Sequence, residues 1–209
     1  MMHHVIFGGK APYVGWMQGF AWANGTIPIA DTLVGPTEIT TALQFSDQKW
    51  LQLGDSGVDI EGDWTLDLWS YIQVPDVTSQ QNYGVLTESA HGMAHIFASV
   101  LNSSVIELGS ESVADSAVSL DQPTIAADGW VHLIVTATCV VSGCDYRYFV
   151  DDNQIGLIQV EATICNGALC PTNFYAIGNR ADGSAPFLFS LHRLRIFEGV
   201  SNHRSVVAR

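Results

Sequence analysis

Hydrophobic and polar side chains alternate with a period of two between Trp64 and Val74. Trp64, Leu66, Leu68, Ile72 and Val74 fall on one face, and Thr65, Asp67, Trp69, Tyr71 and Gln73 on the other. Successive strand side chains point to opposite sides, so this stretch reads as a β-strand with one face on a core. The runs AHIFASVL and VIEL flank Asn102, Ser103 and Ser104, which tolerate tight turns, and predict a hairpin over 92–109. WVHLIVTATC, DYRYFV and QIGLIQVEATI follow as a three-stranded meander. Val131, Leu133, Val135 and Ala137 face inward there, and Asp151, Asp152 and Asn153 turn the last pair of strands. The run from Asn173 to Val200 predicts two more strands around a turn-rich loop at 180–186, with a short helix after it at 202–208.

Long helical periodicity is absent, and from about residue 40 onward Gly, Asn, Asp and Pro punctuate the strands at intervals suited to a sandwich. The expected fold is all-β, a two-sheet antiparallel β-sandwich. Residues 1–36 break the pattern: Phe7, Tyr13, Trp16, Phe20 and Trp22 stand isolated among Gly and Pro. These residues read as an N-terminal arm whose aromatics make an assembly contact, on the domain's own surface or on a neighbouring subunit. Residues 37–209 are then the domain, and a chain of 209 residues suits one large sandwich.

Composition narrows the function. With 47% apolar and 14% charged residues the chain has the makeup of a folded protein. Lys and Arg number 8 against 21 Asp and Glu, a net charge of -13. Nucleic acid and anionic membranes need a basic surface, so neither is an expected partner. No run of 18 apolar residues offers a spanning helix, and MMHHVIFGGKAPYVGW lacks the basic and apolar regions of a secretory signal.

Three blocks in order carry a resemblance: ALQFSDQKWLQLGDSGVDIEGDWTLDLWSYIQ, DGWVHLIVTATCVVSGCDYRYFVDDNQIG and YAIGNRADGSAPFLFSLHRLRIFEGV. Over roughly residues 40–205 the chain resembles the laminin-G-like branch of the concanavalin-A-like jelly rolls. The resemblance implies a jelly-roll sandwich, and calcium as the usual family ligand, held by loop carboxylates at one rim. Asp55, Asp59, Asp63, Asp151, Asp152 and Asp182 are such carboxylates, though no calcium-loop motif selects among them. Lectins, glucanases, adhesion modules and virion surface proteins share this fold, so function has to come from a site.

Asp59, Glu61 and Asp63 alternate, which on a strand would place an acid and a nucleophile about 5 Å apart for retaining glycoside hydrolysis. Gly57 and Gly62 bracket them as turn punctuation, and the resemblance makes the segment a solvated turn; a cation site on the same three residues is the other chemical reading. His91 and His95 have the i, i+4 spacing of a helical metal pair but span Gly92 at a loop-to-strand junction. His132 suits packing or hydrogen bonding. Cys139 and Cys144 bound one connection of the meander and Cys165 and Cys170 another, at the same end of the sandwich. Two local disulfides fit this spacing; free thiols, a four-cysteine zinc site and cross-pairing between the loops are the other arrangements. Trp69 and Tyr71 could stack on sugars or be buried.

No catalytic set emerges. The expectation is a non-catalytic structural or adhesive protein, displayed on a large assembly such as a phage or viral virion as a capsid decoration or tail component. Its partners would then be other subunits, in a homo-oligomer. The alternatives are a glycan-binding module, with or without calcium, and, third, a glucanase-like hydrolase.

Overall fold

A computed structural model describes residues 2–6, 20–22, 29–30, 42–45, 51–53, 57–72, 83–89, 94–102, 105–110, 118–126, 129–151, 153–161, 164–165, 168–177 and 189–199. They form strands only: β1 (Met2–Ile6), β2 (Phe20–Trp22), β3 (Ile29–Ala30), β4 (Ala42–Phe45), β5 (Leu51–Leu53), β6 (Val58–Ile60), β7 (Trp64–Ile72), β8 (Tyr83–Glu88), β9 (Ala94–Asn102) and β10 (Val105–Gly109). The second half of the chain supplies β11 (Val118–Asp121), β12 (Thr124–Ala126), β13 (Gly129–Val140), β14 (Gly143–Val150), β15 (Asn153–Val160), β16 (Ile164–Cys165), β17 (Ala168–Leu169), β18 (Thr172–Phe174), β19 (Ala176–Ile177) and β20 (Phe189–Glu198).

Among the described residues one antiparallel sheet runs β11-β15-β14-β13-β7-β20-β4-β3, with β1 beside β4 along the same edge of β20. The second sheet runs β12-β10-β9-β8-β19-β5-β2, and β6 with β18 and β16 with β17 form two small ribbons. The expected sandwich is present. Trp64, Leu66 and Leu68 of β7 and Leu133, Val135 and Ala137 of β13 pack with Leu86, Ile96, Ile106 and Leu108 of the other sheet in one core. The predicted hairpin is β9 with β10, and the predicted meander is β13, β14 and β15.

Local alternation fails at two places, each for a physical reason. Strict alternation along β20 from Leu191 would send Arg193 and Arg195 into the core. His192 has no partner in the ladder, because Leu191 pairs with Ser70 and Arg193 with the next residue of β7, Trp69. This bulge resets the phase, so Leu191, Leu194 and Ile196 are the core positions, each 1% exposed. The region read as two strands holds three, because Tyr175 separates β18, which joins β6, from β19, which lies between β5 and β8. The 180–186 loop and the 202–208 helix lie outside the described residues.

The chain changes sheets at Gln122 and Pro123, between β11 on the first sheet and β12 on the second. The Leu108 amide donates to the Pro123 carbonyl at 2.9 Å, and Gln122 Nε2 donates to the Leu108 carbonyl at 2.7 Å. The crossing is close enough that a Cβ on Gly156 would sit 2.7 Å from the Pro123 nitrogen and Cα. Of the arm, β1 pairs with β20 and β2 with β5, so the backbone of Phe20 and Trp22 belongs to the second sheet. Phe7, Tyr13 and Trp16 lie outside the described residues.

Candidate functional site

The outer face of the first sheet is polar and aromatic where the inner face is aliphatic. Much of it is closed: Thr65 and Asp67 are fully buried, and His132, Ile134 and Thr136 nearly so. It opens at one end, where Trp69, Tyr71 and Trp130 are half-buried. Pairing of β7 with β13 sets Trp69 opposite His132 and Tyr71 opposite Trp130. Directly opposed residues share a face with Cβ atoms about 5 Å apart, so the four rings form one strip across two strands. Trp69 stacks parallel to the His132 imidazole, 4.9 Å between centroids and 7° between planes. Tyr71 meets Trp130 edge-on at 5.9 Å and 65°.

Beneath the strip, His132 Nε2 donates to Asp67 Oδ1 at 2.9 Å. Asp67 fixes the imidazole, and the imidazole fixes the indole of Trp69. Trp130 Nε1 is a buried donor with no partner among the described residues. The arrangement offers flat apolar ring faces with a polar edge, which suits stacking on the C–H face of a sugar and docking of a planar group.

A second aromatic group lies between the sheets. Trp64 packs edge-on against Tyr146, Phe174 and His95, with centroids 5.2, 5.1 and 6.4 Å away. His95 Nε2 donates to the Asn173 carbonyl at 2.6 Å, so this histidine is a buried bracing group, and His91 lies outside the described residues. Ser110 Oγ donates to the His95 carbonyl and accepts from Tyr148 Oη, both at 2.6 Å. Burial pushes the Tyr146 and Tyr148 hydroxyls well above the ordinary tyrosine value, and at Tyr148 the bond with Ser110 offsets part of the rise. A raised folded value means the stabilisation is whole below pH 10 and is lost as pH climbs past the unfolded tyrosine value of about 10. Urea midpoints measured from pH 8 to 12 should therefore hold to about pH 10. Beyond it they should fall as the unfolding free energy drops by about 1.4 kcal/mol per pH unit for each tyrosine, with a shallower fall in Tyr148→Phe.

The cysteine end is built as a stapled rim. Cys139 and Cys144 are ladder partners in the β13–β14 hairpin and are joined as a disulfide, and Cys170 is disulfide-bonded too. Cys144 pairs with Val160 on β15, and Thr172, two residues after Cys170, pairs with Ile60 on β6. Asp63 Oδ1 accepts from the Cys139 amide at 2.8 Å, and Asp59 Oδ1 from Asn173 Nδ2 at 2.7 Å. Glu61 between them is exposed. Asp59, Glu61 and Asp63 thus do not converge, and among the described residues no three His, Cys, Asp or Glu side chains are placed to hold a metal ion. This donor set does not fit calcium. Asp151 occupies the turn after β14 with φ +45°, and Asp55, Asp152 and Asp182 lie outside the described residues.

Sequence reasoning paired Trp69 with Tyr71 by alternation, and the structure does bring both to one strip. It missed Trp130 and the bond between His132 and Asp67, because Trp130 and His132 come from β13, more than 50 residues from β7 in sequence. The period-two spacing of Trp130 and His132 was the available signal, since it matches that of Tyr71 and Trp69 on a neighbouring strand.

The laminin-G-type model of the concanavalin A-like lectin/glucanases superfamily matches residues 45–207. No curated protein matches the chain. The fold is similar to that of the catalytic domain of a glycoside hydrolase family 131 protein from Coprinopsis cinerea (13% identity, 92% of this chain and 88% of that one, TM-score 0.55). It is also similar to domain 4 of AbnA, an extracellular arabinanase from Geobacillus stearothermophilus solved with arabinotriose (17% identity, 88% and 81% covered, TM-score 0.51). The binding domain of botulinum neurotoxin serotype D matches 88% of the chain at 12% identity and TM-score 0.48, and the chain spans only 45% of that domain's length.

Proposed function

From the premise that the chain belongs to the concanavalin A-like lectin/glucanases superfamily, we propose that it is a non-catalytic, adhesive sugar-binding module whose platform is the strip of Trp69, Tyr71, Trp130 and His132. The reading rests on the half-buried indole of Trp69, held parallel to an imidazole that Asp67 anchors from below. A ring fixed before the ligand arrives loses little conformational freedom on binding. AbnA domain 4, with a similar fold, was solved with a bound sugar, which raises the prior for this class of ligand. Binding is favoured over hydrolysis because Asp59 and Asp63, two of the three alternating carboxylates, are engaged by Asn173 and the Cys139 amide.

A glycan array probed with the whole chain, before and after EDTA, tests the reading. The expected result is a set of bound glycans unaffected by EDTA, with no reducing sugar released from the matching polysaccharides. A blank array, or release of reducing sugar, would count against it. Within a bound series, Trp69→Ala should weaken affinity at least about tenfold by titration calorimetry run well below the variant's own thermal midpoint.

A second reading is a structural or adhesive subunit on a large particle such as a phage or viral virion. It is favoured by the tip of the stapled hairpin, where Val140 and Val141 are 57% and 65% exposed, as a contact for another subunit. Mass spectrometry of the source particle tests it: a stoichiometric component supports it, and absence from the particle rejects it.

A further inference from the structure

We propose that the tip of the β13–β14 hairpin is a docking knob for a basic protein surface, one with an apolar hollow ringed by Lys and Arg. This deepens and rests on the second reading above, a contact with another protein at this tip, and owes nothing to the sugar platform. Val140 and Gly143 are the last pair of the hairpin, so Val141 and Ser142 form a two-residue turn. Such turns favour Asn, Gly and Asp. Here a β-branched residue takes the first turn position, and Val140 and Val141 are the large apolar side chains left exposed among the described residues. Closure comes from below instead: the Cys139–Cys144 disulfide joins the next pair of the ladder, and Asp63 Oδ1 accepts from the Cys139 amide at 2.8 Å. The two valines are thereby presented on a fixed backbone, which lowers the ordering cost of docking them.

Charge selects the occupant. On one flank of the tip the 61–63 connection runs alongside Cys139, with Glu61 exposed. On the other flank Val160 pairs with Cys144, and Glu161 next to it is exposed. Among the described side chains the one Lys or Arg is Arg147, and it is paired with Asp145 at 3.2 Å. An apolar centre with a charged rim has the anatomy of an interface. Two copies meeting through this rim would set carboxylates against carboxylates, and an anionic membrane would be repelled, whereas Lys and Arg complement it. Trp130 and Val140 lie ten residues apart on β13, about 33 Å, so a docked partner leaves the aromatic strip open.

The probe is a displayed library of random disulfide-cyclised peptides, panned on the whole chain and counter-selected on a Val140→Ser, Val141→Ser double variant. The expected tip-dependent peptides carry Lys and Arg beside aliphatic or aromatic residues. Their affinity by titration calorimetry should fall at least about tenfold in the double variant, the loss of about one buried valine side chain. It should also fall in a Glu61→Lys, Glu161→Lys variant, and weaken several-fold as NaCl is raised from about 50 to 500 mM. Thermal midpoints of both variants should match the parent, since all four positions are exposed. Finding no tip-dependent peptide, finding only acidic or uncharged ones, or finding affinities indifferent to charge reversal and salt overturns the proposal. So does a dimer of the chain, seen by sedimentation, that the double variant loses, because the occupant is then a second copy. Tip-dependent basic peptides from a chain that mass spectrometry finds in no particle would support the docking knob and end the virion reading alone.

Discussion

Trp64→Ala should lower the unfolding free energy by about 3–5 kcal/mol, the cost of emptying a fully buried aromatic site. Trp64 is 0% exposed and touches rings from three other strands, Tyr146 of β14, His95 of β9 and Phe174 of β18. It therefore joins both sheets and the β6–β18 ribbon through one side chain. Tyr146 and Phe174 are held by backbone pairing, and His95 by its bonds to the Asn173 carbonyl and Ser110, so they cannot collapse into the space. Trp64→Phe should cost less, because phenylalanine refills part of the volume and removes an indole N–H that is buried without a partner among the described residues. Urea denaturation monitored by circular dichroism gives both values; a Trp64→Ala cost under about 1 kcal/mol would mean that this cluster does not join the sheets.

Gly156→Ala is the second large effect, at about 2–3 kcal/mol or more, and it works by crowding rather than by emptying. The added methyl would sit 2.6 Å from Pro123 Cβ and 2.7 Å from the Pro123 Cα and nitrogen. A flexible side chain could swing away, but these atoms belong to a fixed ring and backbone. Moving Pro123 would also strain its carbonyl bond to Leu108 and the Gln122 bond beside it, which together carry the crossing from one sheet to the other. The unfolding midpoint should drop while exposed positions on the same strand, such as Gln159, tolerate alanine. A neutral Gly156→Ala would show that the crossing is looser than this contact implies.

The parts of the fold that follow a local rule were legible from residue order. Alternation over 64–74 picks out the core face of β7, and the short polar turns at 102–104 and 151–153 locate the β9–β10 hairpin and the β13–β15 meander. Parts that depend on distant pairing were not. Nothing near Asp67 announces that His132, 65 residues on, will bond to it. The bulge in β20 was readable in principle, since two arginines at the core phase of FSLHRLRIFE demand an extra residue, but strict alternation hides it. The strands β18 and β19 are too short to carry a period, and only their different sheet partners separate them. At the cysteine end the even spacing pointed to local closure, which Cys139 and Cys144 display, whereas the alternating carboxylates suggested a ligand set where the structure uses two of them as hydrogen-bond acceptors.

The sugar platform is proposed on Trp69 and its neighbours. A crystal structure of the chain with its strongest array ligand tests this most directly. The expected result is a pyranose ring lying on the Trp69 indole, within reach of Tyr71 and Trp130. A sugar seated instead at the stapled end, against Asp59, Glu61 and Asp63, would contradict it.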